Sequence, residues 1–191
     1  MTVMPTDQTA PAELELVRAF VNTRDVEEGT DALQSPAEAI AWLSAHALGG
    51  GERSLAEPDR DRLVEVREAL RELLLANNLS EPPPAAALAA LNEQSAEAAV
   101  TLRFDAEGAA LVTSCGGVDS AIARLLAIVH SAMGDGTWRR LKACPAADCR
   151  WAFYDHSRNR SGTWCEMGEC GNREKARRFR ERHRGTDEPI A

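Results

Sequence analysis

Four cysteines near the C-terminal end constrain this chain more than any other feature. They form two pairs, each spaced C-x4-C, with fifteen residues between the pairs: Cys144, Cys149, Cys165 and Cys170. Zinc takes four soft ligands at tetrahedral corners, with sulfur about 2.3 Å from the metal. Because two cysteine-bearing turns joined by a hairpin supply that geometry, the spacing predicts a Zn²⁺ site. Four cysteines close the coordination sphere, so the predicted zinc is structural.

Alternative roles for these cysteines fit the pattern less well. Reduced core cysteines without metal agree poorly with two regular pairs flanked by charged residues. Iron also accepts four thiolates, and His156 or His183 could replace one cysteine, although the spacing does not require it. The fifth cysteine, Cys115, is distant in sequence and is predicted to be a plain buried thiol. A module of this size depends on its metal, which supplies roughly 10–16 kcal/mol in zinc-finger peptides.

The charge of the chain is divided between its two parts. Residues 139–184 hold thirteen Lys/Arg and six Asp/Glu, a balance of +7, which leaves −15 for the rest of a net charge of −8. An acidic body with a basic end predicts that only the end meets a polyanion such as DNA.

The length and composition predict an α+β chain of two parts. With 191 residues and 44% hydrophobic residues, there is room for one ordinary domain and one small module. We expect a mainly helical N-terminal domain with a β-hairpin at 13–136, and a zinc-bound hairpin plus helix, treble-clef-like, at 137–184. The ends, 1–12 and 185–191, are expected to be disordered. Since no long apolar run or secretory signal is present, the expected location is cytoplasmic, without membrane contact.

Helix signals mark the N-terminal domain. Ser35 followed by Pro36 predicts a helix start. A second helix from Pro58 to Asn77-Asn78 has an apolar stripe of Leu63, Val66, Leu70, Leu73 and Leu74. A third helix is expected over 85–98.

A hairpin and a further helix are predicted before the zinc module. Strands at 99–104 and 109–113 flank a four-residue loop. Asp119 is expected to cap a helix that ends at Gly134-Asp135-Gly136. Its predicted core-facing residues are Ile122, Leu125, Leu126, Val129 and Met133.

The last helix, predicted over 172–183, places its charges around an apolar sector. At 100° per residue, one narrow sector contains Asn172, Ala176, Phe179 and His183, and it is expected to pack on the zinc hairpin. One basic ridge comprises Arg173, Arg177, Arg180 and Arg184, and the opposite ridge comprises Lys175, Arg178 and Arg182. Glu174 and Glu181 are expected to face solvent.

Both parts resemble known families. The motif Cys170-Gly171-Asn172-Arg173, within YDHSRN and WCEMGECGNREKARRF, resembles the CGNR zinc finger. The segments FVNT at 20–23, WL at 42–43 and REALREL at 67–73 are similar to the ABATE domain. That domain accompanies this finger in bacterial proteins described as stress-induced transcription regulators. One departure is Gly162-Thr163, where the finger family tends to carry basic residues.

The resemblance implies a DNA-binding regulator, and the charge pattern selects the contact residues. The predicted nucleic-acid contacts are Arg158, Arg160, Arg173, Lys175, Arg177, Arg178, Arg180 and Arg184. Alternatively, Glu–Arg pairs on the last helix only stabilise a short helix in solvent.

Two other functions remain open. The basic module could act as a protein adaptor that docks on an acidic surface, including the chain's own N-terminal domain. That domain could instead sense a small molecule, with a ligand pocket predicted at Phe20, Asn22 and Arg24. No catalytic or nucleotide-binding motif is present, so we expect no enzyme. A homodimer through the acidic domain is compatible with binding of paired half-sites.

Overall fold

The computed structural model describes residues 8–48, 54–106 and 108–184. Six helices in this part of the chain are α1 (Leu14–Val21), α2 (Pro36–Ala45), α3 (Glu57–Leu79), α4 (Ala85–Glu97), α5 (Gly117–Asp135) and α6 (Asn172–Arg184). Six short strands are β1 (Arg24–Asp25), β2 (Thr30–Asp31), β3 (Thr101–Asp105), β4 (Gly108–Val112), β5 (Leu141–Ala143) and β6 (Ala152–Tyr154). The predicted α+β class is therefore confirmed. Of the residues expected to be disordered, 1–7 and 185–191 lie outside the described residues, whereas the prediction is wrong for 8–12, because these residues are ordered and Ala10 is buried in the core.

Helix α3 is the centre of the fold, and α1, α2, α4, α5 and β5 all pack on it. The predicted stripe is confirmed, since all of its members are buried: Leu63, Val66, Leu70, Leu73 and Leu74. Burial of each such side chain contributes roughly 1.5–3 kcal/mol. The predicted start of α2 is also confirmed, because the Ser35 hydroxyl accepts a hydrogen bond from the Glu38 amide at 3.4 Å.

Two predicted helix boundaries are wrong. Helix α3 continues past Asn77 and Asn78 to Leu79, and Ser80 ends it in the left-handed region at φ 56°. The asparagines instead donate to backbone carbonyls of the zinc module. Helix α5 begins at Gly117, two residues before Asp119, whose carboxylate pairs with Arg62 at 2.8 Å. Local propensity favoured both boundaries, but tertiary partners take up these side chains.

The strands form three separate antiparallel hairpins, β1–β2, β3–β4 and β5–β6. In the second hairpin Asp105 pairs with Gly108, so the connection is shorter than the predicted four-residue loop. On α5, Met133 is 49% exposed and does not join the core as expected.

One apolar core runs across the predicted boundary at residue 136. Helix α5 ends there, with Gly136 in the left-handed region at φ 81°. The main core nevertheless continues into the next segment through Trp138, Leu141, Ala143, Ala152 and Tyr154. The β5–β6 hairpin is thus anchored on α3, and only the residues around the cysteines form a separate cluster.

Within the described ranges, no helix combines the length and apolar character needed to span a membrane.

Candidate metal centre

The structure brings the four predicted cysteines together at the end of the β5–β6 hairpin. Cys144 follows β5 directly, and its amide donates to the Trp151 carbonyl at 2.9 Å. The Cys149 amide closes a turn on the Ala146 carbonyl at 3.0 Å, which defines the first knuckle, residues 144–149. The second knuckle, residues 165–170, leads through a π-helical turn at Met167–Gly171 into α6. All four sulfurs lie within 4.8 Å of one another.

This sulfur geometry fits a tetrahedral metal. At a metal–sulfur distance of about 2.3 Å, neighbouring sulfurs of a tetrahedron are roughly 3.8 Å apart. The Sγ atoms of Cys149 and Cys165 are 3.4 Å apart, and those of Cys165 and Cys170 are 3.6 Å apart. Three of the four cysteines are buried, so the ligand set is shielded on most sides. The residues present would hold a divalent ion with no open position for water.

The close packing of the four sulfurs also shifts the pKa values of their thiols. Hydrogen bonds from Cys149 and Cys165 lower the pKa of Cys144. The hydrogen bond with Cys144 raises the pKa of both Cys149 and Cys165. One thiolate is therefore stabilised by hydrogen bonds from the neighbouring thiols, whereas any further thiolate would be repelled by the negative charge of the first. A divalent cation would supply the charge that lets the remaining thiols ionise.

In the second knuckle, Gly171 lies close to two side chains. A Cβ atom there would lie 2.5 Å from the Met167 sulfur and 3.2 Å from the Trp164 ring. A larger residue at position 171 would displace the end of the flexible Met167 side chain, which is 53% exposed.

A buried ion pair organises the loop that follows β6, residues 155–162. Lys142 Nζ donates to Asp155 Oδ2 at 2.7 Å and to the carbonyls of Arg160 and Gly162 at 2.7 and 2.8 Å. The side chains of Lys142 and Asp155 are only 5% and 2% exposed. Asp155 also accepts the amides of Ser157 and Gly162, both at 2.9 Å. The pair therefore fixes the loop from inside.

This loop presents two of the predicted nucleic-acid contacts. Arg158 and Arg160 are exposed at its surface. Arg160 takes the left-handed region at φ 55°, a conformation that a non-glycine residue adopts only when its surroundings enforce it. The Arg160 carbonyl accepts a hydrogen bond from Lys142 in the interior of the module. Arg139 and Arg160 line one concave surface, so a third exposed arginine lies beside the loop.

The predicted packing of α6 is wrong. Of the apolar sector, Ala176 is exposed and Phe179 is 57% exposed, so neither packs on the hairpin as expected. Glu174, expected outermost, is half-buried and accepts Arg177 at 2.8 and 3.0 Å. Because Cys170 fixes the start of the helix, its polar face lies along the first knuckle. The side chains of residues 178 and 181–184, including predicted contacts Arg178 and Arg184, lie outside the described set.

Arg173 bridges the two parts of the chain. Its guanidinium donates to Glu27 in the β1–β2 connection at 2.5 and 3.1 Å, and to the Cys170 sulfur at 3.1 Å. The hydrogen bond with Glu27 raises the pKa of Arg173 above its usual range. A residue predicted to contact nucleic acid is therefore engaged by the acidic domain and by a metal ligand.

The other side of the metal centre is acidic. A cavity there is lined by Gln8, Trp151 and three of the cysteines, together with five carboxylate residues: Asp25, Glu27, Glu28, Glu166 and Glu169. A polyanion would be repelled from this side.

Sequence reasoning missed the contacts that join the zinc module to the helical domain. Asn77 donates to the carbonyls of Trp138 and Leu141, both at 3.0 Å. Asn78 donates to those of Ala143 and Thr163 at 2.7 and 2.8 Å. The buried Arg71 donates to the Arg150 carbonyl at 2.9 Å and to that of Val21 at 2.7 Å. The only sequence signal is the unusual presence of amides and arginines on the buried side of α3.

The predicted ligand pocket residues occupy three different environments. Phe20 is fully buried against the Trp42 ring, at a centroid distance of 5.6 Å. Asn22 exchanges two hydrogen bonds with the backbone of Ala152, at 2.8 and 2.7 Å, and so joins α1 to β6. Arg24 is exposed in β1. The pocket stays a prediction, while the contacts of Asn22 give it a structural role.

Comparisons with known proteins agree with this division. The family model of the CGNR zinc finger matches residues 140–183. The ABATE family model, described as "Putative stress-induced transcription regulator", matches residues 14–133, more than half of the chain. A search of curated proteins gives no match. The chain therefore belongs to the ABATE family and carries a CGNR zinc finger behind the ABATE domain.

Proposed function

We propose that this protein is a transcription regulator that binds duplex DNA through a zinc-stabilised basic module. The observation that carries the proposal is the loop at 155–162, which a buried Lys142–Asp155 pair holds so that Arg158 and Arg160 face solvent. Contacts within the fold already order this loop, so little conformational entropy is lost when its arginines bind phosphates. The family description and the +7 balance of residues 139–184 support a polyanionic partner.

The role we propose for zinc is structural, and the role of the chain is binding rather than catalysis. Four thiolates on Zn²⁺ leave a formal charge of −2, which Arg173 offsets through its hydrogen bond to Cys170. Lys175, Arg177 and Arg180 are exposed along α6 and provide further contacts to phosphates. No position on the metal is left for a reacting water.

Titration of a fluorescent DNA duplex, followed by anisotropy at several salt concentrations, tests this proposal. The double variant R158Q/R160Q is expected to bind more weakly, and its log–log salt dependence should be shallower by about two units, because two phosphate contacts are lost. R124Q is the matched control, since Arg124 is an exposed arginine on α5 outside the zinc module. Absence of binding by the zinc-loaded wild-type chain at low salt contradicts the proposal. An unchanged salt slope in R158Q/R160Q contradicts the role of the loop.

A second function, docking of the basic module on an acidic surface, is favoured by the Arg173–Glu27 pair. Glu27 forms an ion pair with the Arg173 guanidinium, which would otherwise contact a phosphate. The acidic domain therefore competes with DNA for Arg173. The two side chains are 40% and 43% exposed, so the pair contributes roughly 0.2–1 kcal/mol. Such a contact is strong enough to tune binding without preventing it.

We therefore expect E27Q to bind duplex DNA about two- to fivefold more tightly than the wild-type chain. E28Q is the control, because Glu28 is an exposed neighbour that forms no ion pair with Arg173 among the described residues. If E28Q tightens binding as much as E27Q, general repulsion accounts for the effect and the docking contact does not. Point variants of the full chain are used because β5 and β6 are buried in the main core.

A further inference from the structure

Strand β3 is the most exposed element of the helical domain. All five of its residues are exposed, including Leu102 at 54% and Phe104 at 75%. Strand β4 packs on α5, so β3 is the outer strand of the hairpin and its far edge is open within the described part of the chain. A two-stranded hairpin is marginal by itself, and an open edge with large apolar side chains usually pairs or is covered.

The strand register defines which backbone groups face this open edge. Asp105 and Gly108 pair as the first and last residues of the turn, a position that carries a hydrogen bond between the strands. Because bonded and non-bonded positions alternate in antiparallel pairs, Arg103 and Thr101 also bond β4. The amides and carbonyls of Leu102 and Phe104 therefore point outwards, available to another strand.

We propose that β3 pairs with β3 of a second copy of the chain, antiparallel, about a two-fold axis at Phe104. The two hairpins then form one four-stranded sheet, in which the Phe104 residues of the copies exchange both backbone hydrogen bonds. This arrangement is isologous, since each copy contributes the same surface. It pairs the open edge around Phe104, with Leu102 of each copy opposite Ala106 in the turn of the other, and brings four large apolar side chains to one face, those of Leu102 and Phe104 from each copy. The dimer does not depend on the proposed binding of DNA.

Charge selects this register over its neighbours. With the axis at Phe104, Arg103 of each copy lies opposite Asp105 of the other, in the non-bonded position where side chains are closest. An axis at Arg103 would place two arginines opposite each other, which is destabilising. An axis at Leu102 would place Arg103 opposite Thr101 and leave no charge pair. The register at Phe104 also gives a cross-strand pair of aromatic rings.

Charge reversal with rescue tests the interface, with molar mass measured by light scattering and sedimentation. The full zinc-loaded chain is expected to have twice the chain mass of 20.7 kDa. R103D and D105R each place like charges opposite each other twice per dimer, so each should weaken dimerisation about tenfold or more. R103D/D105R restores both pairs and should recover the dimer. E93R, a charge reversal at an exposed residue of α4, should behave as wild type.

Amide hydrogen exchange of the wild-type chain gives a readout that needs no variant. The amide of Phe104 should be protected at concentrations where the dimer forms and should exchange faster on dilution. A monomeric wild-type chain, or a dimer in which the Phe104 amide stays unprotected, overturns the proposal. So does a dimer that R103D and D105R leave as strong as wild type.

Discussion

Removal of the metal is expected to unfold the two cysteine knuckles and α6 while the helical core and the β5–β6 hairpin stay folded. The small cluster around the sulfurs contains few apolar side chains, and α6 exposes Ala176 and Phe179. That segment therefore depends on metal–sulfur bonds, which supply about 10–16 kcal/mol in zinc-finger peptides. Strands β5 and β6 should persist, because Leu141 and Tyr154 belong to the main core.

Chelation followed by circular dichroism and amide exchange measures this result. Loss of zinc should abolish the amide protection of α6 and change the fluorescence of Trp151 and Trp164, which pack on the cysteine cluster. Amides of α3 and α5 should keep their protection. Continued protection of α6 in the metal-free chain contradicts the expectation.

The fifth cysteine provides a matched control for the same centre. C165S removes one ligand and should leave the chain with less than its full content of one zinc ion. C115S removes a half-buried thiol outside the cluster and should keep the metal. Equal loss of zinc from both variants would contradict the four-cysteine assignment.

The ligands and the helix α3 could be predicted from the sequence because their physical requirements repeat at fixed spacing. C-x4-C pairs bring sulfurs together through short turns, and a period of three and four residues makes one buried face. Asn77 and Asn78 could not be interpreted in this way. Their partners are carbonyls of 138–143 and Thr163, more than sixty residues further along the chain.

The orientation of α6 shows why periodicity alone fails in a small module. An apolar sector predicts packing only when an apolar surface is available to receive it. Here the cysteine cluster holds Cys170 at the start of the helix, and the polar residues Arg173 and Glu174 lie against the first knuckle. The position of Cys170 thus outweighs the burial of Phe179, which remains 57% exposed.

Replacement of Lys142 by methionine is expected to destabilise the fold by about 3–5 kcal/mol. The change keeps the apolar stem but leaves the carboxylate of Asp155 buried without its cation, and two loop carbonyls lose their donor. K175M, at the only other lysine of the chain, is the control, because Lys175 is exposed and should change stability by less than about 0.5 kcal/mol. Denaturant unfolding of the zinc-loaded proteins measures both values.

The double variant K142M/D155N separates the ion pair from the packing. Removing both charges leaves no buried unpaired ion, so K142M/D155N should be more stable than K142M alone, with a coupling energy of about 1–3 kcal/mol. Strict additivity of the two single variants would show that the pair is not coupled. Weaker DNA binding by K142M is expected as well, because the loop that holds Arg158 and Arg160 loses its internal support.

The pH dependence of the same pair has a definite sign. Burial raises the pKa of Asp155, but hydrogen bonds from Lys142 and Ser157 outweigh it and leave this pKa below its ordinary value. The unfolded chain, with a pKa near 3.9, then binds the proton more readily, so the contribution of the pair is present above about pH 4 and is lost as the pH falls through the folded pKa. In K142M the unpaired, buried Asp155 has a raised pKa, so the stability difference between wild type and K142M should shrink as the pH falls, from that raised pKa down to the folded pKa of Asp155 in wild type. Since both proteins hold the same four cysteines, acid release of zinc cancels in that difference, and a gap that widens in acid would contradict the assignment.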